Sequence, residues 1–480
     1  MWISSARILV NLFASISTVV LARLLVPADF GLVALGTTML ALVTAFTELS
    51  LTEALIKHQD PGSDHFSSAW TLNGTRGLIV FGLFAAAAHP AARFYEEPRL
   101  PPIMIALGLS VFINSLANPR RIVLQRNLVF WQEFVLSVSQ KLAGLIAALT
   151  IAFVYHSYWA LVIGSLATSL TAVIVSYCAV PFRPRITYCE ARSLLSFSIW
   201  LTLGQAINML NWRFDQLLVG KVLGRSALGL YTVGSTLSSL ATREMTAPLT
   251  QTIYPGFSKL NGDRLRLRGA YQRAQALVTA VALPAGFGTA VIAEPAVRLF
   301  IGDKWLPAVG IMQALASIYA LQTLGSLVEP LAMACGETRK LFVRSTQMFF
   351  VRVPIIVAAM YIGGLTGLVY ARVFTGLFAA VVNMYLVKQL LGLRVADQLK
   401  ANTRALISIV VMTAGAVLLL QAMGPQDGTF ALIRQISFTC LTAAFLYLST
   451  MVILWRLAGA PQGPETEILS IYKKLARKAA

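Results

Sequence analysis

Nine ionisable residues stand within or at the edge of long apolar stretches. They are the cations Lys141, Arg213, Arg243, Arg352 and Arg372, and the acids Asp215, Glu244, Glu329 and Glu48. In soluble protein such residues would be ordinary. In a bilayer each ionised group costs at least about 2.5 kcal/mol near the centre, so it faces an interior cavity or a partner and tends to have a role. Glu48 lies at the cytoplasmic end of its stretch and is solvated there or paired with a basic loop. The rest leave five cations against three acids, an interior short of negative charge. A cargo carrying phosphate would supply what is missing.

Arg213 and Asp215 fall near the middle of one stretch. Two residues on a helix are about 200° apart, so these side chains face different neighbours. For Arg213 two readings stand, a cavity cation that meets substrate phosphate and a lock to a carboxylate on another helix. Asp215 is read as a packing acceptor near Asn208 and Asn211, with a proton-coupling carboxylate as its rival role. Arg243 and Glu244 are adjacent, each free to pair across helices, and their stretch runs into Pro248 and Pro255, where missing backbone donors allow a bend. Arg352 precedes Pro354 and Arg372 follows Tyr370; for these two and Lys141, snorkelling or a carboxylate pair competes with a place in a cationic cavity.

Other chemistries find no foothold. The four cysteines and four histidines have no metal-ligand or disulfide-framework spacing. No serine, histidine and acid cluster suggests a triad, and no glycine-rich phosphate loop suggests ATP hydrolysis. Neither a cofactor nor an enzymatic activity is expected.

The elements that must position these charges are membrane helices. Hydrophobic residues make up 57% of the 480 and charged residues 12%, and the mean hydropathy is +0.71, far from the composition of a soluble domain. At roughly 20 residues per crossing, about fourteen spans can be drawn. They start near Trp2, Phe30, Ser68, Leu100, Val129, Tyr158, Leu194, Leu228, Tyr271, Leu306, Leu341, Leu365, Asn402 and Phe430. With both termini cytoplasmic, about 26 of the 39 Lys and Arg fall in cytoplasmic segments and about 8 outside, the asymmetry that sets membrane orientation. The net charge of +19 is therefore read as orientation and attraction to anionic lipid headgroups, not as a nucleic-acid surface.

An internal repeat runs through the chain. Placing Gly31 over Gly229 aligns Leu25 with Leu223, Leu32 with Leu230, Gly36 with Gly234, Thr38 with Thr236 and Leu42 with Leu240, and sets Thr37 over Ser235. Six spans separate the copies, so both enter the membrane in the same direction, related by an axis along its normal. The expected architecture is all-α: a six-helix bundle over 1–185, a pseudo-symmetric second bundle over 186–395, two further helices over 396–460, and a basic amphipathic cytoplasmic tail over 461–480. Its loops are too short to hold a catalytic domain.

One run of motifs goes further. Asn211-Trp212-Arg213-Phe214-Asp215, Gly220, Gly224, Leu228-Gly229-Leu230-Tyr231, Pro255-Gly256-Phe257, Gly262-Asp263-Arg264, Gly302-Asp303-Lys304-Trp305 and Gly336-Glu337-Thr338 follow in order, echoed near the N-terminus by Pro27-Ala28-Asp29-Phe30-Gly31. This pattern resembles the polysaccharide transport family of the multidrug, oligosaccharidyl-lipid and polysaccharide (MOP) flippase superfamily. The resemblance implies a flippase of the bacterial inner membrane. Its cargo would be a polyprenyl-diphosphate-linked oligosaccharide for exopolysaccharide or lipopolysaccharide O-antigen, carried by alternating access through a cationic cavity. A proton or sodium ion would be a coupling partner, and the polysaccharide polymerase and export machinery would act alongside. The rivals are a multidrug exporter of the same superfamily, which should carry more acid than base in its cavity, and a membrane polymerase or ligase, which should carry a long external catalytic loop.

Overall fold

The structure, a computed structural model, describes residues 2–48, 51, 55, 62–126, 130–191, 199–250, 253–260, 262–426, 428–460 and 465–466. Among these residues the regular structure is helical throughout. The long helices are α1 (Trp2–Leu24), α2 (Pro27–Thr47), α3 (Ser63–Tyr95), α4 (Leu100–Ser115), α5 (Phe130–Tyr155), α6 (Trp159–Ala179) and α7 (Ile199–Val222). They continue with α8 (Gly224–Thr250), α9 (Arg264–Val291), α10 (Val309–Gln322), α11 (Thr338–Leu391), α12 (Val395–Met423) and α13 (Thr429–Leu457).

Local sequence sets the ends. Pro27 opens α2 with its ring fixing the first helical φ, and Asp29 accepts from the Val26 amide at 3.5 Å. Asp263 caps α9 through the Arg266 amide at 3.0 Å. The 54 residues of α11 are two limbs, because Gly364 adopts φ 56° and ψ −137° between them, a conformation nearly closed to residues with a Cβ. Each limb is about one membrane span long.

Twelve of the fourteen expected starts meet a helix within a few residues; Val129 and Leu194 lie outside the described residues. The expected start at Leu306 falls in a 3-10 turn, Asp303–Ala308, that leads into α10. Nine helices among the described residues are long and apolar enough to cross a membrane. α7 and α8 are not in that set; they carry charges, Arg213, Asp215 and Lys221 on one, Arg225, Arg243 and Glu244 on the other, and α8 is rich in Gly, Ser and Thr besides. Bulky apolar side chains such as Ile79, Phe153, Ile362 and Phe445 stay more than half exposed, as a surface solvated by lipid tails requires. The chain is a multi-pass membrane protein.

The contacts group into two compact units, Met1–Thr232 and Val233–Ala480. In the first, α1 packs on α5, α5 on α6, α6 on α4, α4 on α3, and α2 on both α4 and α7. In the second, α9 packs on α10 and α12, α10 on α11, and α12 on α13. Its interior is apolar with polar pins: the buried Tyr447 hydroxyl donates to the Ala280 carbonyl at 2.8 Å, joining α13 to α9. Of the expected tail, 461–480, only Glu465 and Thr466 are among the described residues. The Glu465 carboxylate meets the Arg404 guanidinium of α12 at 3.3 Å.

Candidate functional site

Gln216 gathers the charged centre of the first unit. It is one turn after Arg213 on α7, so both point the same way. The Arg213 Nη1 donates to the Gln216 Oε1 at 3.0 Å, and the Thr38 hydroxyl of α2 reaches the same oxygen at 2.7 Å. Among the described residues no carboxylate comes within 4.0 Å of Arg213. Its partner is a neutral amide.

Asp215 faces another direction, as its place on the helix demands. It is 2% exposed, and it accepts from the buried Tyr231 hydroxyl of α8 and from the Gln216 amide at 2.9 Å. The sequence pointed to Asn208 and Asn211 as its neighbours; Tyr231 comes from the next helix, folded back across the tight turn at Gly224.

Lys141 is exposed on α5, with no hydrogen bond or ion pair among the described residues. Glu48 terminates α2 and is exposed. Facing that end is Arg76 of α3, which the sequence reading passed over. Its guanidinium donates to the Thr44 carbonyl and the Thr47 hydroxyl, both at 3.4 Å, and to Asn73 at 3.3 Å. It caps one carbonyl, that of Thr44, which the last turn of α2 leaves open. The signal was Arg76 itself, eight residues past an expected span start at Ser68.

In the second unit Arg243 and Glu244 pair with each other at 3.4 Å, and Arg243 is largely exposed. Two long side chains can converge in this way across the 100° between adjacent helix positions. Glu329 sits exposed in a short helix, Val328–Ala334, beyond a break after α10. Arg352 and Arg372 are buried, one on each limb of α11. Arg372 reaches the Tyr319 hydroxyl of α10 at 3.5 Å, the long limit of a hydrogen bond, and that hydroxyl lies 3.1 Å from the Ser235 hydroxyl of α8.

A cavity of about 450 Å³ opens in the first unit, lined by Gly31, Leu35, Tyr95, Glu97, Gly220 and Arg225 among others. It contains none of the charged residues singled out in the sequence, and two of its charges are paired. Arg225 meets Glu97 at 2.7 Å, and beside it Lys221 meets Glu96 at 2.9 Å. Those pairs tie the α3–α4 turn to the α7–α8 turn. No cluster of metal-binding side chains occurs among the described residues.

Many apolar helices that carry charges within their length define a multi-pass membrane protein of the MOP transporter fold. The chain belongs to the polysaccharide biosynthesis protein family, whose family model matches residues 20–310. It is similar to the lipopolysaccharide biosynthesis protein WzxC of Escherichia coli (strain K12), at 21% identity over 396 residues, 82% of this chain and 80% of that one. It is similar also to the succinoglycan biosynthesis transport protein ExoT of Rhizobium meliloti (strain 1021), at 23% identity over 327 residues, 67% of this chain and 66% of that one. Among solved structures, the lipid II flippase MurJ in an inward closed conformation shares the fold, with a TM-score of 0.73 at 16% identity, covering 94% of this chain and 98% of that one.

Proposed function

We propose that the protein flips polyprenyl-diphosphate-linked oligosaccharides across the bacterial inner membrane for exopolysaccharide or O-antigen assembly, with both termini cytoplasmic. The observation that carries this reading is Arg213, a guanidinium in mid-span whose partner is a neutral amide. Holding such a charge in a membrane-spanning helix is costly unless something offsets it. A diphosphate offsets it in transit, and the relatives' names in lipopolysaccharide and succinoglycan biosynthesis supply the class of glycan.

Arginine suits this work because its planar fork gives two parallel donors to phosphoryl oxygens. In this reading the headgroup crosses within the protein, past Arg213 and the cations of the second half, Arg352 and Arg372, while the polyprenyl tail stays in lipid. The halves, 1–185 and 186–395, rock between inward-open and outward-open states, with the last two helices appended over 396–460. Lys141 and Arg243, both exposed, serve at the approaches, and Asp215, Glu244, Glu329 and Glu48 hold helices or couple an ion. A carrier of organic cations would instead need a carboxylate where Gln216 stands.

The test is the fate of lipid-linked intermediates when the gene is deleted. Mass spectrometry should find a polyprenyl-diphosphate oligosaccharide accumulating, and a membrane-impermeant glycan-modifying reagent should place it in the cytoplasmic leaflet. Accumulation in the outer leaflet would exclude a flippase role.

A further inference from the structure

An arginine side chain has much rotamer freedom to lose, so one that meets a moving cargo works best if it is held in place beforehand. We propose that Gln216 is the residue that holds Arg213 and, through its amide N–H groups, a second donor to the phosphoryl oxygens of the cargo. This rests on the reading of Arg213 as a cargo contact.

Donor chemistry fixes the amide. A guanidinium can only donate, so the Gln216 atom 3.0 Å from Arg213 Nη1 is the oxygen. Thr38, itself buried, adds its hydroxyl proton to that oxygen at 2.7 Å. Turning the amide over would present N–H to N–H at Arg213 and lose that bond, while the Thr38 hydroxyl would only exchange donating for accepting. The amide nitrogen therefore points away from both. It has no protein partner among the described residues, and it is not among the fully enclosed polar atoms left without one, so it keeps some accessible surface although Gln216 as a whole is buried. The free N–H groups of Arg213 and the Gln216 amide thus form one donor row on one face of α7, suited to a phosphate or diphosphate.

The second unit carries a parallel arrangement. There Tyr319 stands between Arg372 and Ser235 as Gln216 stands between Arg213 and Thr38. Thr38 lies two residues after Gly36 on α2, and Ser235 one residue after Gly234 on α8, the two helices that the internal repeat superimposes. In both places a neutral side chain joins an arginine to a hydroxyl. At Arg213 a carboxylate in place of Gln216 would fix the guanidinium equally well but cancel the charge that an anionic cargo needs.

The experiment uses the full-length protein in detergent, farnesyl diphosphate as probe and farnesol as its uncharged control. Retention is read by native mass spectrometry, beside each variant's thermal midpoint. Gln216→Glu, which keeps the shape but pairs the guanidinium, should lower farnesyl diphosphate retention about tenfold or more, and Gln216→Leu should lower it with no new charge. Thr38→Val should weaken retention several-fold while Thr38→Ser restores it. Farnesol retention should not change in any variant. If Arg213→Ala binds farnesyl diphosphate as the parent does, the cargo-contact reading itself falls. If Arg213→Ala loses the probe while Gln216→Leu and Thr38→Val keep it, Arg213 stands and the role of Gln216 is overturned. Should Gln216→Glu not reach the membrane, the Thr38 pair of variants decides.

Discussion

Gly31 and Gly229 cross in direct contact, and each meets in the other's helix what the other meets in its own. A Cβ on Gly31 would strike the Arg225 carbonyl, and a Cβ on Gly229 would strike the Pro27 carbonyl. Pro27 and Arg225 have the same spacing along the chain as the two glycines, so the contact is self-reciprocal, the signature of a local two-fold. The repeat read from the sequence superimposes these two glycines. A further pair is alike within the separate units: Gly36 seats Leu107 and Ile103 of α4, and Gly234 seats Ile311 of α10. In lipid, where helices gain little from apolar contact alone, such close backbone approach is a main source of association.

A methyl group at either crossing glycine should therefore push the helices apart. Gly31→Ala and Gly229→Ala are each expected to cost about 1–3 kcal/mol, read as a lower thermal midpoint and lower membrane abundance. The double variant should cost less than the sum, because the first methyl has already separated the backbones the second would strike. Strict additivity would mean that the two glycines do not share one contact.

Arg213→Ala or Arg213→Glu should abolish polysaccharide export with the protein still present in the membrane. Arg213→Lys should restore part of the activity, since an ammonium keeps the charge but loses the guanidinium fork. Complementation of a deletion strain, with quantified membrane protein, measures both. Normal export by Arg213→Glu at normal abundance would remove the cationic cavity at its central residue.

Asp215 and Tyr231 should behave as one unit. Tyr231→Phe and Asp215→Asn each disturb a buried hydrogen bond to a carboxylate, and a double-mutant cycle in thermal stability should return a coupling of about 1.5–3 kcal/mol. If Asp215 serves only to pack α7 on α8, Asp215→Asn transports with the pH dependence of the parent. A flattened pH profile at normal abundance would instead make it the coupling carboxylate.

The spans were legible because a bilayer demands a long apolar run for each crossing, and sequence shows such runs without needing partners. Arg213 and Asp215 were legible for the same reason, charges being conspicuous against that background. What surrounds them was not. Gln216 is neutral and drew no notice, Tyr231 reaches Asp215 only once a hairpin closes, and the Thr38 link depends on a packing of α2 on α7 that no local pattern encodes. Arg76 was missed because α3 is 33 residues long, so a residue close to the drawn start of the span stands well inside the helix. Arg243 and Glu244 mislead in the opposite way: helix geometry separates them by 100°, yet long flexible side chains bring them together.

The sidedness of the chain can be tested without any substrate. Gly262 precedes α9 and Gly363 stands at the break between the limbs of α11, both exposed and neither with any atom near the place of a new Cβ. Between them the chain passes along α9, α10 and the first limb of α11, an odd number of crossings, so the two positions belong on opposite faces. The excess of Lys and Arg, about 26 against 8, assigns Gly262 to the cytoplasm. Gly363→Cys, in a background with the native cysteines replaced, should react with an impermeant maleimide added to intact spheroplasts, and Gly262→Cys only after permeabilisation. Labelling of both from outside would delete a span from the count, and the reverse pattern would invert the protein and with it the leaflet from which cargo is loaded.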